Sequence, residues 1–468
     1  MFVNPNIFRQ YDVRGVAERD LTDEVVEQLG RAFGTFMRRK GYRTLTVGRD
    51  VRLSSPRLRD ALVQGLAATG VEVIDVGVVP TPVLYFSIVH FRVDGGVMIT
   101  GSHNPIEYNG FKLCEGVASI YGDDIQELRR LIEKGDFESG RGEVRQDDAL
   151  TPYLRLLGEK FHFPRRLKLV IDAGNGTAGE IASQLFRGYG HDVVCLYCEP
   201  DGRFPNHLPD PTIPEYVAEL RRKVVELGAD LGIGYDGDAD RIGAIDEKGA
   251  IIFADRLLAL FSKGVLARCP GAPIVFDVKC SQALPDFIAQ HGGKPVMWKT
   301  GHSLLKAKMK ELGAPFAGEM SGHMFFADDY FGFDDALYAS LRLVEMVAGS
   351  GKKLSELVAE IPAFVSTPEI RVDCPDEDKF AVVDELIKHF RREYEVVDVD
   401  GARVLFGDGW GLVRASNTQP VLVLRFEAKT PERLREIGQA FLTVLSRFPN
   451  VDTEPLKKAL EAVEGQTQ

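Results

Sequence analysis

The stretch TLTVGRD at residues 44–50 decides the fold, together with PRLRDALVQGLAATG at 56–70 and VEVIDVG at 71–77. The first run is rich in β-branched residues and ends in an aspartate. The second run has the pattern of a helix, and the third is again strand-like. A strand, a helix and a strand at this spacing predict a right-handed parallel βαβ unit.

The same unit recurs twice, and internal repeats of this size organise a fold. The strand-like runs that end in an aspartate are KLVIDAG (168–174) and PIVFDVK (273–279). The helical stretches and second strands that follow are AGEIASQLFRGYG (178–190), HDVVCLY (191–197), SQALPDFIAQHGG (281–293) and KPVMWK (294–299). The sequence therefore predicts three similar α/β domains.

Each repeat continues into a further short strand that breaks into a polar, glycine-containing loop. The three loops are ITGSHNP (99–105), GYDGDADR (234–241) and GEMSGH (318–323). Ligands of open α/β sheets bind beyond the carboxyl ends of the strands. We therefore expect the three loops to converge on one cleft.

The pattern changes near residue 366. Two stretches with helical periodicity, 378–394 and 430–448, surround the alternating runs EVVDVDGARVLFGDGWGLVRAS (395–416) and PVLVLRFEA (420–428). Alternation with glycine-containing turns predicts an antiparallel sheet, and hence a smaller α+β domain. The predicted domains are 1–147 with the serine loop, 148–251 with the aspartate loop, 252–365 with the GEMSGH loop, and 366–468.

Composition sets the broad class. The 468 residues are 44% hydrophobic and 27% charged, as in ordinary soluble proteins. A chain of this length is too long for a single hydrophobic core, so several domains are expected. The formal charge of −12 argues against a nucleic-acid partner. The N-terminal sequence lacks a signal-peptide pattern, and no run is apolar enough for a membrane span. We expect a cytoplasmic protein that binds neither nucleic acid nor membrane.

Six cysteines in so long a chain are not a disulfide framework, which fits a reducing compartment. Cys195 and Cys198 form a lone CxxC in a strand-like run. Residues three apart in a strand point to opposite faces. Without a second CxxC, we interpret the pair as buried strand cysteines rather than a zinc or redox site.

The TGSHNP loop offers Ser102 on a turn where glycine permits close approach to a phosphate. His103 beside it can donate or accept a proton. A hydroxyl becomes a phosphate acceptor only with a base, a metal or a stabilising charge. An ordinary Ser-Asn-Pro turn remains the alternative for this loop taken alone.

The DGDADR loop presents Asp236, Asp238 and Asp240 at alternate positions, where they can face one hard cation. An EF-hand is the rival, since Glu247 falls at the twelfth position, but Arg241 occupies the sixth position, which requires glycine. A haloacid-dehalogenase-type aspartyl nucleophile and a solvated acidic turn are further alternatives. Mg²⁺ is the expected ion because it accompanies phosphoryl transfer.

Two further loops carry weaker signals. GEMSGH supplies Glu319, Ser321 and His323, which suit sugar hydroxyls, although a capped turn has the same composition. RASNTQP (414–420) places Arg414 with Ser416, Asn417 and Thr418, a donor cluster suited to a phosphate dianion. A polar hairpin loop is the alternative there.

GNGTAG (174–179) matches the dinucleotide fingerprint G-x-G-x-x-G after a strand and before a helix, with Glu199 twenty residues beyond Gly179. A dehydrogenase would leave the serine, aspartate and RASNTQP loops unexplained. We interpret these glycines as a tight strand-to-helix turn.

In this order the motifs resemble those of the α-D-phosphohexomutase family, and within it the bacterial phosphomannomutase/phosphoglucomutase branch. They are FRQYDVRG (8–15), TGSHNP (100–105), NGFK (109–112), DGDADR (236–241), DVKC (277–280), KTGHS (299–303), GEMSGH (318–323) and RASNTQP (414–420). The match spans the whole chain. The resemblance implies three similar α/β domains with mixed sheets plus a C-terminal α+β domain around a central cleft.

The resemblance also implies residue roles. Ser102 would carry the phosphate, and Asp236, Asp238 and Asp240 would hold Mg²⁺ together with that phosphoserine. The candidate groups beside the transferring phosphoryl group and for proton transfer are Lys112, Arg241, His302 and His103. The implied substrate contacts are Tyr11, Arg14, Lys279, His302, Glu319, Met320, Ser321, Gly322, His323, Arg414, Ala415, Ser416, Asn417 and Thr418.

The implied activity is an isomerase that interconverts hexose 1-phosphate and hexose 6-phosphate. It would use a hexose 1,6-bisphosphate, such as glucose 1,6-bisphosphate, as intermediate and activator. Met320 favours mannose and glucose substrates, because related phosphoglucosamine mutases tend to carry glutamine there. The phosphoglucosamine mutase, a metal-dependent sugar-phosphate phosphohydrolase and a non-catalytic sugar-phosphate sensor remain alternatives, and the oligomeric state, monomer or dimer, stays open.

An anionic substrate in a protein of charge −12 needs a local cluster of cations. The candidate loops supply one, with five cationic side chains: Arg14, Lys112, Arg241, Lys279 and Arg414.

Overall fold

The structure is a computed structural model that describes residues 3–416 and 420–465. It divides into two compact units. The first contains the chain up to Phe261 together with Pro315–Val358, and the second contains Ser262–Ala314 and the chain from Ala359 onward. Within the described residues, no helix combines the length and the apolar character that a membrane crossing needs.

The first unit begins with a mixed seven-stranded sheet in the order β1-β5-β4-β2-β3-β7, with β6 added beside β5. β2 runs parallel to β3 and β4, whereas β5 is antiparallel to β4. The elements are a 3-10 helix (Pro5–Ile7), β1 (Val13–Val16), α1 (Asp23–Arg39), β2 (Thr44–Arg49), α2 (Ser55–Ala67), β3 (Glu72–Val78), α3 (Thr81–Phe91), β4 (Gly95–Ile99), β5 (Tyr108–Glu115), β6 (Ala118–Ser119), α4 (Asp123–Lys134) and β7 (Val144–Gln146).

Local sequence explains how this region forms. The Thr22 side chain caps α1 by accepting from the Val25 N–H, and acidic residues fill the first turn while Arg38 and Arg39 fill the last. Gly30 of α1 and Gly65 of α2 let the two helices meet closely, since a Cβ on either would strike the other helix's backbone. The helices then bury an apolar core against the sheet.

A second sheet in the same unit has five strands in the order β12-β11-β10-β8-β9. β8 pairs in parallel with β9 and β10, and β11 pairs antiparallel with β10. The elements are α5 (Leu150–Lys160), β8 (Lys168–Asp172), α6 (Gly179–Gly188), β9 (Asp192–Leu196), α7 (Ala218–Leu227), β10 (Leu231–Tyr235), β11 (Ile242–Asp246) and β12 (Ile251–Ile252).

The third repeat is divided between the two units. β13 and β14 pair in parallel in the second unit, and β15 and β16 form an antiparallel hairpin in the first. The elements are α8 (Ala254–Arg268), β13 (Pro273–Asp277), α9 (Ala283–Gln290), β14 (Lys294–Trp298), α10 (His302–Leu312), β15 (Phe316–Gly318), β16 (Met324–Phe326), α11 (Ala336–Ser350) and α12 (Leu354–Val358).

The C-terminal part of the second unit is an antiparallel sheet in the order β17-β22-β21-β20-β19, with β18 also paired to β22. Helices pack on it around an apolar core. The elements are β17 (Val365–Ser366), β18 (Ile370–Asp373), α13 (Lys379–Phe390), β19 (Glu395–Val397), β20 (Ala402–Leu405), β21 (Gly409–Ala415), β22 (Val421–Ala428), α14 (Pro431–Leu445) and α15 (Glu454–Gly465). The predicted fold class, with three βαβ repeats and an antiparallel α+β region, is confirmed.

The prediction that both cysteines of the CxxC pair are buried in a strand is wrong. β9 ends at Leu196, and Tyr197 adopts a left-handed backbone with φ of 51°, so Cys198 no longer follows strand alternation. The Cys198 thiol hydrogen-bonds Cys195, and this contact lowers the pKa of Cys195 to about 6 against the opposing effect of burial. The two side chains therefore meet, and both are half-buried rather than buried.

His207 lies in the long loop after β9 and fastens this loop to the end of β8. Its Nδ1 lies 2.8 Å from the Leu208 carbonyl oxygen, and its Nε2 lies 3.2 Å from both oxygens of Asp172. Both ring nitrogens face acceptors, so the doubly protonated ring fits best. Burial opposes that charge, but the hydrogen bond that His207 donates to Asp172 and the charge of this carboxylate outweigh it and raise the pKa of His207.

His207 should therefore contribute stability that depends on pH. A histidine whose pKa is raised by folding stabilises fully below its unfolded value of about 6.5 and loses this as pH rises through its folded pKa. We expect His207→Gln to cost more free energy of unfolding near pH 5.5 than near pH 8.5, measured by urea denaturation. In an Asp172→Asn background the cost should become independent of pH; a pH-dependent cost there would contradict the pairing.

Candidate active site

The serine loop leaves the carboxyl end of β4. Ser102 is 3% exposed and adopts a left-handed backbone with φ of 47°. Its hydroxyl donates to Asp236 Oδ2 at 2.7 Å and lies 3.1 Å from His103 Nδ1. The serine and the aspartate loop, 134 residues apart in the chain, are thus in direct contact.

The aspartate loop joins β10 to β11 and is fully buried. Asp236, Asp238 and Asp240 are each 0% exposed, and one oxygen from each lies within 4.8 Å of the others. Asp238 Oδ1 and Asp240 Oδ1 have no hydrogen-bond partner among the described residues. Burial and the neighbouring carboxylates Asp240 and Asp238 raise the pKa of Asp236 well above its usual range.

This donor set fits a divalent metal ion. Hard cations such as Mg²⁺ prefer carboxylate oxygens, and two buried oxygens are available to serve as ligands. A bound cation would also remove the repulsion among three converging carboxylates. The alternative of a solvated acidic turn is wrong, since no part of the triad is exposed.

Two cationic side chains flank the triad. Lys112 on β5 is 3% exposed; its Nζ donates to Asp238 Oδ2 at 2.7 Å and also to Asp240 Oδ2. Burial disfavours the charged amine, but the carboxylates of Asp238 and Asp240 outweigh burial and raise the pKa of Lys112. Arg241 lies on the other side, with Nε 4.0 Å from Asp236 Oδ2.

His103 lies between Ser102 and the guanidinium of Arg241. Its Nε2 is 3.4 Å from Arg241 Nη1. Burial, together with the charges of Arg241 and Arg14, lowers the pKa of His103 well below its usual range. The ring therefore stays neutral near pH 7 in this environment.

The GEMSGH loop connects β15 to β16 and contacts the aspartate loop. The Ile242 N–H donates to the Gly322 carbonyl at 3.1 Å, and Arg241 Nε donates to His323 Nε2 at 3.1 Å. Glu319 and His323 are buried, whereas Met320 and Ser321 are half-buried. The Ser321 hydroxyl oxygen has no hydrogen-bond partner within the described part of the chain, which leaves it available to a ligand.

Arg14 on β1 also reaches the serine loop. Its Nη1 donates to Asn104 Oδ1 at 2.5 Å, and its Nη2 lies 2.6 Å from Asp12. Tyr11 is half-buried in the bend before β1. The first unit thus brings together Ser102, the three aspartates, Lys112, Arg241, His103, Arg14 and the GEMSGH loop.

The remaining predicted site residues lie in the second unit. Arg414 on β21 donates to Asp400 Oδ2 at 3.0 Å, and the same oxygen accepts from the Thr300 N–H. His302 begins α10 two residues after Thr300, and Lys279 follows β13 and pairs with Glu369 at 3.3 Å. Ala415 and Ser416 are buried beside Arg414. Asn417 and Thr418 lie outside the described residues.

The glycines of GNGTAG pack against protein backbone. A Cβ on Gly176 would meet the Gly237 carbonyl oxygen at 2.7 Å, and the Thr177 N–H donates to that oxygen at 3.0 Å. This turn therefore supports the aspartate loop, as the tight-turn interpretation expects. The EF-hand candidate Glu247 instead accepts hydrogen bonds from Ser355.

Sequence reasoning missed three buried residues of this site. The Thr81 hydroxyl donates to Asp238 Oδ2 at 2.5 Å, and Asp334 Oδ2 lies 3.1 Å from His323 Nδ1. Arg52 donates to backbone carbonyls of the serine loop. For Arg52 a signal existed, because it lies two residues after the repeat aspartate Asp50; Thr81 and Asp334 carry no pattern of their own.

The arrangement can hold a phosphate on a serine oxygen. The Ser102 hydroxyl contacts the buried carboxylates, and the cationic side chains of Lys112 and Arg241 lie beside them. Cations placed around a transferring phosphoryl group stabilise its developing charge. The fold and this site define an enzyme of phosphoryl transfer.

Comparison with known proteins gives the family. Four family models cover the chain: phosphoglucomutase/phosphomannomutase alpha/beta/alpha domain I at residues 5–139, domain II at 151–249, domain III at 253–364, and the C-terminal domain at 369–444. The chain belongs to the phosphoglucomutase/phosphomannomutase family, whose members are mutases, a class of isomerase.

Individual relatives agree with this assignment. The phosphomannomutase/phosphoglucomutase of Pseudomonas aeruginosa is 48% identical over 437 residues, covering 93% of this chain and 94% of the relative. The phosphoglucomutase of Neisseria gonorrhoeae is 43% identical over 454 residues, covering 96% and 98%. A crystal structure of a phosphoglucomutase/phosphomannomutase family protein from Burkholderia thailandensis matches with a TM-score of 0.90, 44% identity, and coverage of 95% and 98%.

The metal assignment can be tested through stability. A ligand that binds only the folded state raises the melting temperature, so Mg²⁺ should stabilise the protein and a chelator should reverse the effect. We expect Asp238→Asn to raise the Mg²⁺ concentration required by about tenfold or more, because one ligand charge is lost.

The matched control is Asp246→Asn. Asp246 is also buried, and it accepts the backbone N–H groups of Lys248 and Ala250 in a turn. Its Mg²⁺ titration should match that of the wild type. Equal shifts in the two variants would remove Asp238 from the metal site.

Proposed function

We propose that this protein interconverts hexose 1-phosphate and hexose 6-phosphate, with mannose and glucose phosphates as substrates. The observation that carries the proposal is the contact of Ser102 Oγ with Asp236 Oδ2 at 2.7 Å inside a buried carboxylate site. The phosphomannomutase/phosphoglucomutase of Pseudomonas aeruginosa and the phosphoglucomutase of Neisseria gonorrhoeae support the choice of sugars. Met320 in the GEMSGH loop favours this pair over glucosamine phosphate.

Catalysis begins with Ser102 phosphorylated. A sugar hydroxyl attacks the phosphorus while the Ser102 oxygen leaves, which yields a hexose 1,6-bisphosphate and the free serine. The bisphosphate then turns end for end, and Ser102 Oγ attacks its other phosphate, which restores the phosphoserine. Every phosphorus–oxygen bond broken is matched by one formed, so no outside phosphate donor is consumed.

Residues of the chain offset the charge of the phosphoryl group and accept the proton of the attacking hydroxyl. Lys112 and Arg241 offset the phosphate's charge of about −1.5 to −2, and Mg²⁺ held by Asp236, Asp238, Asp240 and the phosphoserine would supply further stabilisation. Phosphoryl transfer depends mainly on alignment and electrostatics, so a modest base is sufficient to accept the proton of the attacking sugar hydroxyl. We assign the role of this base to His302, with neutral His103 as the second candidate.

Substrate recognition follows from the remaining loops. Glu319, Ser321 and His323 would hold sugar hydroxyls, and Gly322 lets their loop turn with φ of 99°. Arg414, Ala415, Ser416, Asn417 and Thr418 would hold the phosphate that is not reacting. Tyr11, Arg14 and Lys279 are assigned to further contacts with the sugar phosphate. A clamp that accepts either phosphate allows one site to perform both half-reactions.

The domain and cellular assignments belong to the same proposal. We infer four domains, 1–147, 148–251, 252–365 and 366–468, and each family-model match falls within one of them. Six free cysteines support a reducing cytoplasm. Small-molecule hexose phosphates are the proposed partners, with glucose 1,6-bisphosphate as activator, and a monomer and a dimer are both compatible with the reaction.

Ser102→Ala tests the nucleophile. The proposed mechanism has no other group on the protein that accepts the phosphoryl group. Turnover in a coupled assay should therefore fall at least about 1,000-fold. The assay compares mannose, glucose and glucosamine 1-phosphates with a trace of glucose 1,6-bisphosphate. Wild-type protein should show the mass of one added phosphoryl group, and the variant should lack it.

Other outcomes separate the rival functions. Release of inorganic phosphate without hexose 6-phosphate would identify a phosphohydrolase, and ligand binding without phosphate on Ser102 would identify a sensor. Preference for glucosamine 1-phosphate would identify a phosphoglucosamine mutase. Near-normal turnover of Ser102→Ala would refute the phosphoserine mechanism.

Arg414→Ala tests the clamp in the C-terminal region. Its proposed phosphate is not the one transferred, so the KM should rise about tenfold or more while kcat changes little. Arg391→Ala is the control, since Arg391 is an exposed arginine of the same C-terminal region and its ion pair with Asp398 includes none of the proposed substrate contacts. A large loss of kcat at unchanged KM in Arg414→Ala would contradict the clamp role.

A further inference from the structure

Arg52 is an arginine buried beneath the serine loop. Its side chain is 0% exposed. Nη1 donates to the carbonyl oxygens of Pro105 at 2.7 Å and Tyr108 at 2.9 Å. Nη2 donates to those of Ser102 at 2.9 Å and Asn104 at 2.6 Å. One guanidinium thus binds four backbone carbonyls of a seven-residue segment, 102–108.

Burying a guanidinium is costly, so the site must compensate it. Asp50 Oδ2 lies 3.4 Å from Arg52 Nε, and the Phe204 ring lies 5.1 Å from the guanidinium carbon. The other close partners are neutral carbonyls. A planar guanidinium with five donors can reach all four carbonyls from two nitrogens, whereas the three N–H groups of a lysine radiate from one nitrogen and cannot satisfy all four.

The contacts converge on the conformation of Ser102. Its φ of 47° is in the left-handed region, which a non-glycine residue adopts only when its surroundings hold it there. Arg52 binds the Ser102 carbonyl, and Asp50 Oδ2 accepts the preceding Gly101 N–H at 3.1 Å. Asp50 and Arg52 therefore hydrogen-bond backbone groups on both sides of the Ser102 Cα, the Gly101 N–H before it and the Ser102 carbonyl after it.

The serine loop packs closely against the guanidinium. A Cβ on Gly101 would strike the Nε and Cζ atoms of Arg52. On the far side, a Cβ on Gly237 of the aspartate loop would lie 2.5 Å from the Ser102 carbonyl oxygen. The Ser102 carbonyl, one of the four that Arg52 binds, thus also lies where the serine loop packs against Gly237 of the aspartate loop.

We propose that Arg52 is a positioning residue for phosphoryl transfer, which fixes the serine loop so that Ser102 Oγ faces the carboxylate site. The proposal rests on the function assigned above. Arg52 contacts the backbone of the loop and acts only through Ser102. Its loss should therefore slow the chemical step without weakening the binding of substrate.

The test is Arg52→Lys, assayed with Mg²⁺, glucose 1-phosphate and a trace of glucose 1,6-bisphosphate. Misplacing a reacting atom by about 1 Å costs about 100-fold in rate, so kcat should fall by about that factor while KM stays within about twofold. Hydrogen exchange of the peptide covering 100–108, measured without substrate, should become faster.

Arg57→Lys is the matched control. Arg57 lies in the same domain and also donates to backbone carbonyls, those of Leu21 and Ala17, but it does not touch the serine loop. Its variant should keep wild-type kcat and wild-type exchange at 100–108. If Arg52→Lys does not fold, Gly101→Ala serves as the test in its place. The added methyl group displaces the Arg52 guanidinium from the loop side, so kcat should fall by the same factor.

The outcomes separate this inference from the proposed function. If wild-type protein lacks mutase activity, the function fails, while the exchange measurement still reports on Arg52. If the wild type is active and Arg52→Lys or a folded Gly101→Ala retains its kcat and slow exchange, the positioning role is overturned. A rise in KM with unchanged kcat would also overturn it.

Discussion

Three carboxylates on one five-residue loop, all without exposure to solvent, impose the constraint on which this site depends. Taking each charge out of water costs several kcal/mol, and mutual repulsion adds to that cost. The partners that offset it come from distant segments: Ser102 for Asp236, and Lys112 for both Asp238 and Asp240. Bringing the carboxylates together therefore also assembles the nucleophile and its nearest cation.

The loop's backbone is held as firmly as its side chains. The carbonyls of Gly237, Asp238 and Ala239 accept N–H groups from Thr177, Thr81 and Ala336, which belong to three separate segments of the first unit. Three consecutive anchors from three directions leave the loop little freedom to adjust. Such preorganisation favours charge stabilisation in a transition state, because the site need not reorganise as the reaction proceeds.

The sequence predicted the repeats well, because strand periodicity and an aspartate at each strand end are local signals. It also singled out the aspartates and Ser102 as polar groups at the ends of buried strands, and the structure brings Ser102 into contact with Asp236. It could not predict Thr81, whose partner Asp238 is 157 residues away in the chain, or Asp334, which lies outside every motif of the sequence. The prediction of a strand through the CxxC pair failed because Tyr197 adopts a positive φ, which no residue pattern in the sequence indicates. The role of the repeat aspartates was also not predicted: Asp50 accepts the Arg52 N–H and Asp172 accepts the Gly174 N–H, each in the loop that follows its own strand.

The left-handed backbone at Ser102 restricts which amino acid can occupy the position. Threonine carries the same hydroxyl, but its branched Cβ is poorly tolerated at positive φ. Cysteine and serine, unbranched at Cβ, differ mainly in the atom they present. The choice of serine over threonine at this position is thus settled by the shape of the main chain, and evolution toward an alternative alcohol would require rebuilding the turn itself.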